Sequence, residues 1–266
     1  MKKYYSCYPL LYKITILWLN HYQLFDDSNQ QIEIMEDILD LCKRIVEQSN
    51  DIGLVNDTLI VMAMTNLILG RADQTIDILQ PIKDPKRLSI QSDGLLIQAY
   101  QSIGETDKAD CYNQIFSYLN VLNLVTSAMN ALLIRCQEKE YCKEVIKRTT
   151  TLIQLFHLDH INENICCQFY YQVSITYCTY GEVEEATRYL KLFTILTKQV
   201  IQAEQFFHGD NYFDRIEQWM NDESLLFSKP RSKEVMLESV RQGLNHPAFS
   251  VIAHTTEYHK CQELFE

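Results

Sequence analysis

Residues 95–116, LLIQAYQSIGETDKADCYNQIF, read as the end of one helix, a tight turn at Gly104 and the start of a second helix running back. The marks are Ala99 and Tyr100, Gly104 four residues after the tyrosine, and Ala109 five residues after the glycine. A close echo is TYCTYGEVEEATRYL, with Tyr177, Gly181 and Ala186, and a weaker one is TNLILGRADQTIDIL, with Asn66, Gly70 and Thr75. Gly70 and Gly104 are 34 residues apart, a period that points to a repeat architecture. Glycine at the turn tolerates the left-handed backbone that ends a helix. Small residues at 109 and 186 let the second helix approach the first closely. A hairpin of this kind buries only part of its apolar surface alone, so neighbours must stack on it.

Working outward from that hairpin, only 7 Gly and 5 Pro in 266 residues leave little room for turn-rich β structure. Apolar residues recur at three- and four-residue spacing nearly throughout, so the fold is expected to be all-α. Five antiparallel helix pairs are expected: 5–25 with 29–49, 52–69 with 72–81, 87–103 with 106–117, 118–136 with 140–156, and 162–180 with 183–202. Ser28 or Asn29 is placed to cap the second helix, Thr106 the helix after Gly104, and Ile34, Ile38, Leu41 and Ile45 form one apolar stripe. The fourth pair lacks a glycine, and its turn residue aligns at Gln137. After residue 203 the pattern changes. An aromatic-acidic helix is expected in FFHGDNYFDRIEQWMND, capped by Asp210 or Asn211. A loop at 228–232, a helix Lys233–Leu244, a break at Asn245-His246-Pro247 and a last helix ending near Leu264 complete the chain. The expected division is therefore 1–204 for the repeats and 205–266 for a C-terminal helical cap packed on them.

Bulk chemistry narrows the function classes. With 24 Lys+Arg against 35 Asp+Glu, the net charge of −11 repels a polyanion, so this segment is a poor surface for DNA. Nine cysteines, odd in number, sit mostly in apolar helical runs without a CxxC pair. They read as buried free thiols in a reducing, cytoplasmic compartment. The apolar run from Leu10 to Leu19 is short for a bilayer span and is interrupted by Lys13, so it reads as a buried helix, with no membrane partner.

The helix hairpins resemble tetratricopeptide repeats, although the usual Trp near the start of each unit is missing, as is the Pro at the end of most units. Longer phrases carry a narrower resemblance: YYSCYPLLYKITILWLNHYQL, ILDLCKRIVEQSNDIGLVNDTLIVMAMTNLILGRADQTIDIL, LFHLDHINENICCQFYYQVSITYC, HGDNYFDRIEQWMND and SVRQGLNHPAFSVI. Together they are similar to the C-terminal, tetratricopeptide-like region of XRE-family (Cro/CI-type helix-turn-helix) transcription regulators of Gram-positive bacteria. Nothing in residues 1–60 shows the arrangement of a helix-turn-helix, so DNA contact is expected only through such a domain ahead of residue 1. The resemblance implies a tetratricopeptide-like superhelix serving as a ligand-sensing and dimerisation domain. Its partners would be a peptide or small-molecule effector in the concave groove and a second copy in a homodimer. In related pheromone receptors the groove binds a short peptide. A plain protein–protein adaptor of tetratricopeptide type is the alternative.

If the first helix of each pair lines the groove, equal offsets before the turns place Asp57, Gln91, Gln98, Gln101, Gln168 and Tyr171 on that face, with Asn66, Asn130, Arg135 and Gln172 close by. Side-chain amides offer both donor and acceptor and can bridge the backbone of an extended peptide. They also suit a solvated groove wall. His157 and His160, with Asp159 and Glu163 nearby, look more like a helix end than a metal site, and His254, His259 and Cys261 lack ligand spacing. No GxSxG, phosphate-binding glycine loop or HExxH occurs, so neither an enzyme nor a cofactor is expected.

Overall fold

The computed structural model describes residues 6–25, 27–82, 92–203, 209–217, 219 and 233–265. Among these the chain is all-α. The helices are α1 (Tyr8–His21), α2 (Ser28–Gln48), α3 (Ile52–Ile68), α4 (Ala72–Leu79), α5 (Ser92–Ser102) and α6 (Thr106–Ile134). They continue with α7 (Lys139–Leu155), the single turn α8 (Leu158–Ile161), α9 (Glu163–Thr179), α10 (Val183–Gln202), α11 (Lys233–Leu244) and α12 (Thr256–Glu263). The expected starts at 87–91 and the loop at 228–232 lie outside the described residues.

The three glycine turns share one geometry. Gly70, Gly104 and Gly181 have φ of 74°, 82° and 69°. In each, the N–H one residue later donates back five residues, Arg71 to Asn66 (2.8 Å), Glu105 to Tyr100 (3.0 Å) and Glu182 to Tyr177 (3.0 Å). This is the helix-ending arrangement in which a left-handed residue lets orphan carbonyls be satisfied. The hairpin contact also repeats, with its donor exchanged. Thr75, five residues after Gly70, donates its hydroxyl to the Ala63 carbonyl, seven residues before it (3.0 Å). Ser174, seven residues before Gly181, donates to the Ala186 carbonyl, five after it (2.8 Å). The fourth turn has no left-handed residue; the Glu138 N–H donates to the Arg135 carbonyl at 2.9 Å and the Cys142 thiol approaches the same oxygen at 3.2 Å.

The helices expected at 106–117 and 118–136 are one continuous helix, α6. No glycine or proline interrupts residues 107–134. Tyr118, at the expected joint, is buried; its hydroxyl accepts from Asn162 Nδ2 at 2.9 Å and its ring meets Phe213 edge-on at 5.7 Å. Burial pushes that phenol up to about 12. Several caps also differ from expectation. Asp27, not Ser28 or Asn29, caps α2, and Glu105 precedes α6 without a side-chain bond, leaving Thr106 as the first helical residue.

The described residues fall into two compact units, one up to residue 82 and the other from residue 92 on. In the first unit, Ile16, Leu19, Met35, Ile38, Cys42 and Val61 form the core. The α2 stripe is turned slightly from the expected one: Ile38 and Ile45 are buried, but Met35 and Cys42 replace Ile34 and Leu41 beside them. Arg71, at the α3–α4 turn, pairs with Glu36 on α2 and holds that carboxyl below its usual range.

In the second unit α9 and α10 form the most extensive pair and α6 packs on both α7 and α9. The fourth and fifth turns are stapled together: Tyr180 donates to the Cys136 carbonyl at 2.8 Å, and Lys139 and Lys143 reach Glu182 at 2.7 and 2.8 Å. α11, a 3-10 turn at Pro247–Val251, and α12 pack on α9 and α10. Asp210 accepts from the N–H groups of Tyr212 and Phe213 but caps no helix there: residues 211–213 and 215 are bends, and helical residues begin only at Ile216. That segment is anchored by Phe213 in the core and by Gln114, whose side chain donates to Asp214 and accepts from the Arg215 N–H.

Candidate functional site

An apolar cleft opens between α6 and α7. Leu124, Ser127, Ala128 and Ala131 line one side, and Tyr141, Val145, Arg148, Thr149 and Leu152 the other. Its volume of about 430 Å³ falls in the range of small-ligand pockets. The α6 residues recur at helical spacing on one face, and three of the four are small, so the helix backbone forms the floor. Arg148 stands at the rim with Nε 2.7 Å from Glu144. Tyr141 lies beneath the Arg135 guanidinium, 3.5 Å from its ring centre.

The repeat register finds this face but not its chemistry. Thirteen residues before the successive turn residues stand Asp57, Gln91, Leu124 and Gln168, and six residues before stand Met64, Gln98, Ala131 and Ile175. In the fourth unit those positions are Leu124 and Ala131, both on the cleft wall. An apolar, small-residue wall thus occupies the place where amides were sought.

The residues singled out in the sequence stand in different surroundings. Asp57 is exposed on α3, its carboxyl pushed up by partial burial and by Asp51. Asn66 is buried; its Nδ2 donates to the Met62 carbonyl at 2.9 Å. Gln91 lies outside the described residues. Gln98 and Gln101 are exposed on α5, Asn130 on α6 and Gln168 on α9, while Gln172 is half-buried. Arg135 ends α6 and is held by Glu138. Tyr171 lies under the C-terminal helices: its hydroxyl donates to the Gly243 carbonyl at 3.0 Å and its ring meets Phe193, Phe249 and His246. None of the ten lines the cleft, because amide and charged side chains, rather than small apolar ones, were expected on a peptide-binding face. Ser127, Ala128 and Ala131 on an otherwise bulky helix were the available signal.

A second cavity, about 740 Å³, lies where α7 ends, lined by Leu155, Phe156, His157, His160, Asp210, Asn211 and Tyr212. His157 adopts φ of 48°, ending α7 in the left-handed region without a glycine. Among the described residues no three His, Cys, Asp or Glu side chains stand together as metal ligands, at His157–His160 or elsewhere. All nine cysteines are free. Burial pushes the Cys42 and Cys167 thiols up to about 12 and Cys178 to about 11, which keeps them protonated and poorly nucleophilic at neutral pH.

The fold and cleft define an all-α chain of repeat-like helix hairpins carrying an apolar pocket on one of them. No family model matches the chain, and neither a curated protein nor a solved structure matches it.

Proposed function

We propose that this chain is the ligand-sensing regulatory region of a transcription regulator, a tetratricopeptide-like superhelix that takes a peptide or small effector against the first helices of its repeats. The observation that carries the binding part is the α6–α7 cleft, found at the repeat offsets where a groove face belongs. A bulky apolar side chain of a peptide fits between Leu124, Val145 and Leu152, over the floor of Ala128 and Ala131. The regulatory part rests on the resemblance to XRE-family regulators, and the acidic charge accords with it, because DNA contact would then fall to a separate helix-turn-helix. Effector binding would act by favouring one arrangement of the repeats over another, which requires a difference in affinity between the two. The non-catalytic reading is supported by thiols whose burial raises their pKa.

Calorimetric titration with a pool of short peptides bearing a single large apolar residue tests the binding part. Saturable binding is expected for the parent chain. Ala131→Phe, which fills the cleft from its floor, should abolish that binding while leaving the helical circular dichroism unchanged. Absence of binding by the parent chain, or equal binding by the variant, would overturn it. For the regulatory part, a helix-turn-helix encoded ahead of residue 1 is the expected finding, and a coding region without one would favour the adaptor.

A further inference from the structure

The cavity at the C-terminal end of α7 shares none of its described lining residues with the α6–α7 cleft, and those residues all belong to the second unit. Its wall holds a backbone anomaly. At the other left-handed turns the chain uses glycine, at 70, 104 and 181, but here it places His157 at φ of 48°. Glycine would end the helix without the strain that a β-carbon brings. The imidazole thus stands there against the local preference of the backbone, and strain of this kind gathers at functional sites.

The electrostatics of the cavity are one-sided. α7 ends on its wall, with Leu155 the last helical residue and Phe156 the cap, so the carbonyl end of the helix dipole borders it. Asp210 holds the Tyr212 and Phe213 N–H groups with Oδ1 alone, at 2.8 and 2.7 Å; among the described residues its Oδ2 carries no hydrogen bond. No lysine or arginine stands among the described lining residues. The net charge of −11 draws cations toward the chain as a whole. The rest of the wall is apolar and aromatic. The Phe156 and Tyr212 rings meet edge-on with centres 6.0 Å apart, and Leu155 is exposed. Ring faces attract a cation within about 6 Å.

We propose that this cavity binds a small organic amine, a protonated amino group carried on an apolar or aromatic body. The ammonium pairs with Asp210 at the carbonyl end of α7, with imidazole nitrogens of His157 and His160 as further acceptors, and the body lies against Phe156, Tyr212 and Leu155. The volume of about 740 Å³ suits such a molecule. A metal ion is a poorer occupant, because among the described residues no three His, Cys, Asp or Glu side chains stand together as ligands. A phosphate or carboxylate is poorer still, since it would face Asp210 with no basic side chain on the described wall. The site goes beyond the peptide-binding reading: Ala131→Phe, which fills the other cleft, should leave amine binding unchanged.

Calorimetric titration of the full chain with phenethylamine, phenethyl alcohol and hydrocinnamate separates charge from shape, because all three carry one phenyl ring on the same short tether. The amine should bind saturably, the alcohol at least about tenfold more weakly, and the acid not detectably. Asp210→Asn removes the charge but keeps an acceptor for the Tyr212 and Phe213 N–H groups, since asparagine caps as aspartate does. It should hold the parent's melting temperature and lose at least about tenfold in amine affinity. His157→Gly relieves the left-handed strain, so it should melt no lower than the parent and still bind the amine more weakly. A parent that does not bind the amine, equal binding of the alcohol or the acid, or undiminished binding by either variant would overturn the proposal.

Discussion

Replacing Phe213 by alanine tests how the segment at 209–217 is held to the second unit. Phe213 is 0% exposed; its ring meets Tyr118 edge-on at 5.7 Å and stacks on Phe156 at 6.1 Å. Removing a buried phenylalanine ring loses its transfer free energy and leaves a cavity, together about 3–5 kcal/mol. Aromatic contacts of about 0.5–1.5 kcal/mol per pair are already within that figure. For a unit of this size each kcal/mol moves the midpoint by about 2–4 °C, so a fall of about 6–20 °C is expected. Differential scanning calorimetry is the suitable assay, because two compact units need not melt together. Only the transition of the second unit should move. Tyr212→Ala is the control: the residue is 63% exposed and meets only the Phe213 and Phe156 rings, both edge-on, so a loss of about 1–2 kcal/mol is expected. A loss below about 1 kcal/mol for Phe213→Ala would refute the seating of this segment in the core, since large values come only from named burial mechanisms.

Two further substitutions probe backbone and charge. A Cβ on Gly209 would stand 2.4 Å from the Phe213 carbonyl oxygen, so Gly209→Ala must shift the segment. Gly181→Ala meets nothing within 4 Å and bears only its left-handed φ, about 1–2 kcal/mol; urea unfolding should rank the first as the more damaging. Glu182 is held below the usual carboxylate range by Lys139 and then Lys143. Its stabilising contribution is present above the unfolded carboxyl pKa and is lost as pH falls through the lower folded value. Glu182→Gln should therefore destabilise at neutral pH, and its gap from the parent should close in acid; a gap independent of pH would contradict the staple.

Much of the fold was legible because its signals are local. The Tyr-to-Gly spacing places Tyr100 and Tyr177 where their carbonyls receive the N–H five residues on, and the weaker Asn66 echo does the same. Even the match of Thr75 to Ala186 marks one contact, the hairpin bond that Thr75 makes directly and Ser174 makes in reverse. Less of the site was legible. The register led to offsets that fall on the α6–α7 cleft in the fourth unit, but Tyr171 shared that face on the same reasoning and is covered by Gly243 and Phe249, 72 and 78 residues further on. No offset along one helix reveals what a distant segment lays over it.

The sequence by itself determined the helical class and the three glycine turns, because a left-handed φ and a missing side chain act within one residue's reach. Only the tertiary structure decided that α6 runs unbroken from Thr106 to Ile134. The periodicity called for a joint near Tyr118, but no breaker stands there and the ring is buried among residues far along the chain. In Leu95–Phe116 the turn was readable, and the extent of the helix leaving it was not, because burial by distant partners set that extent.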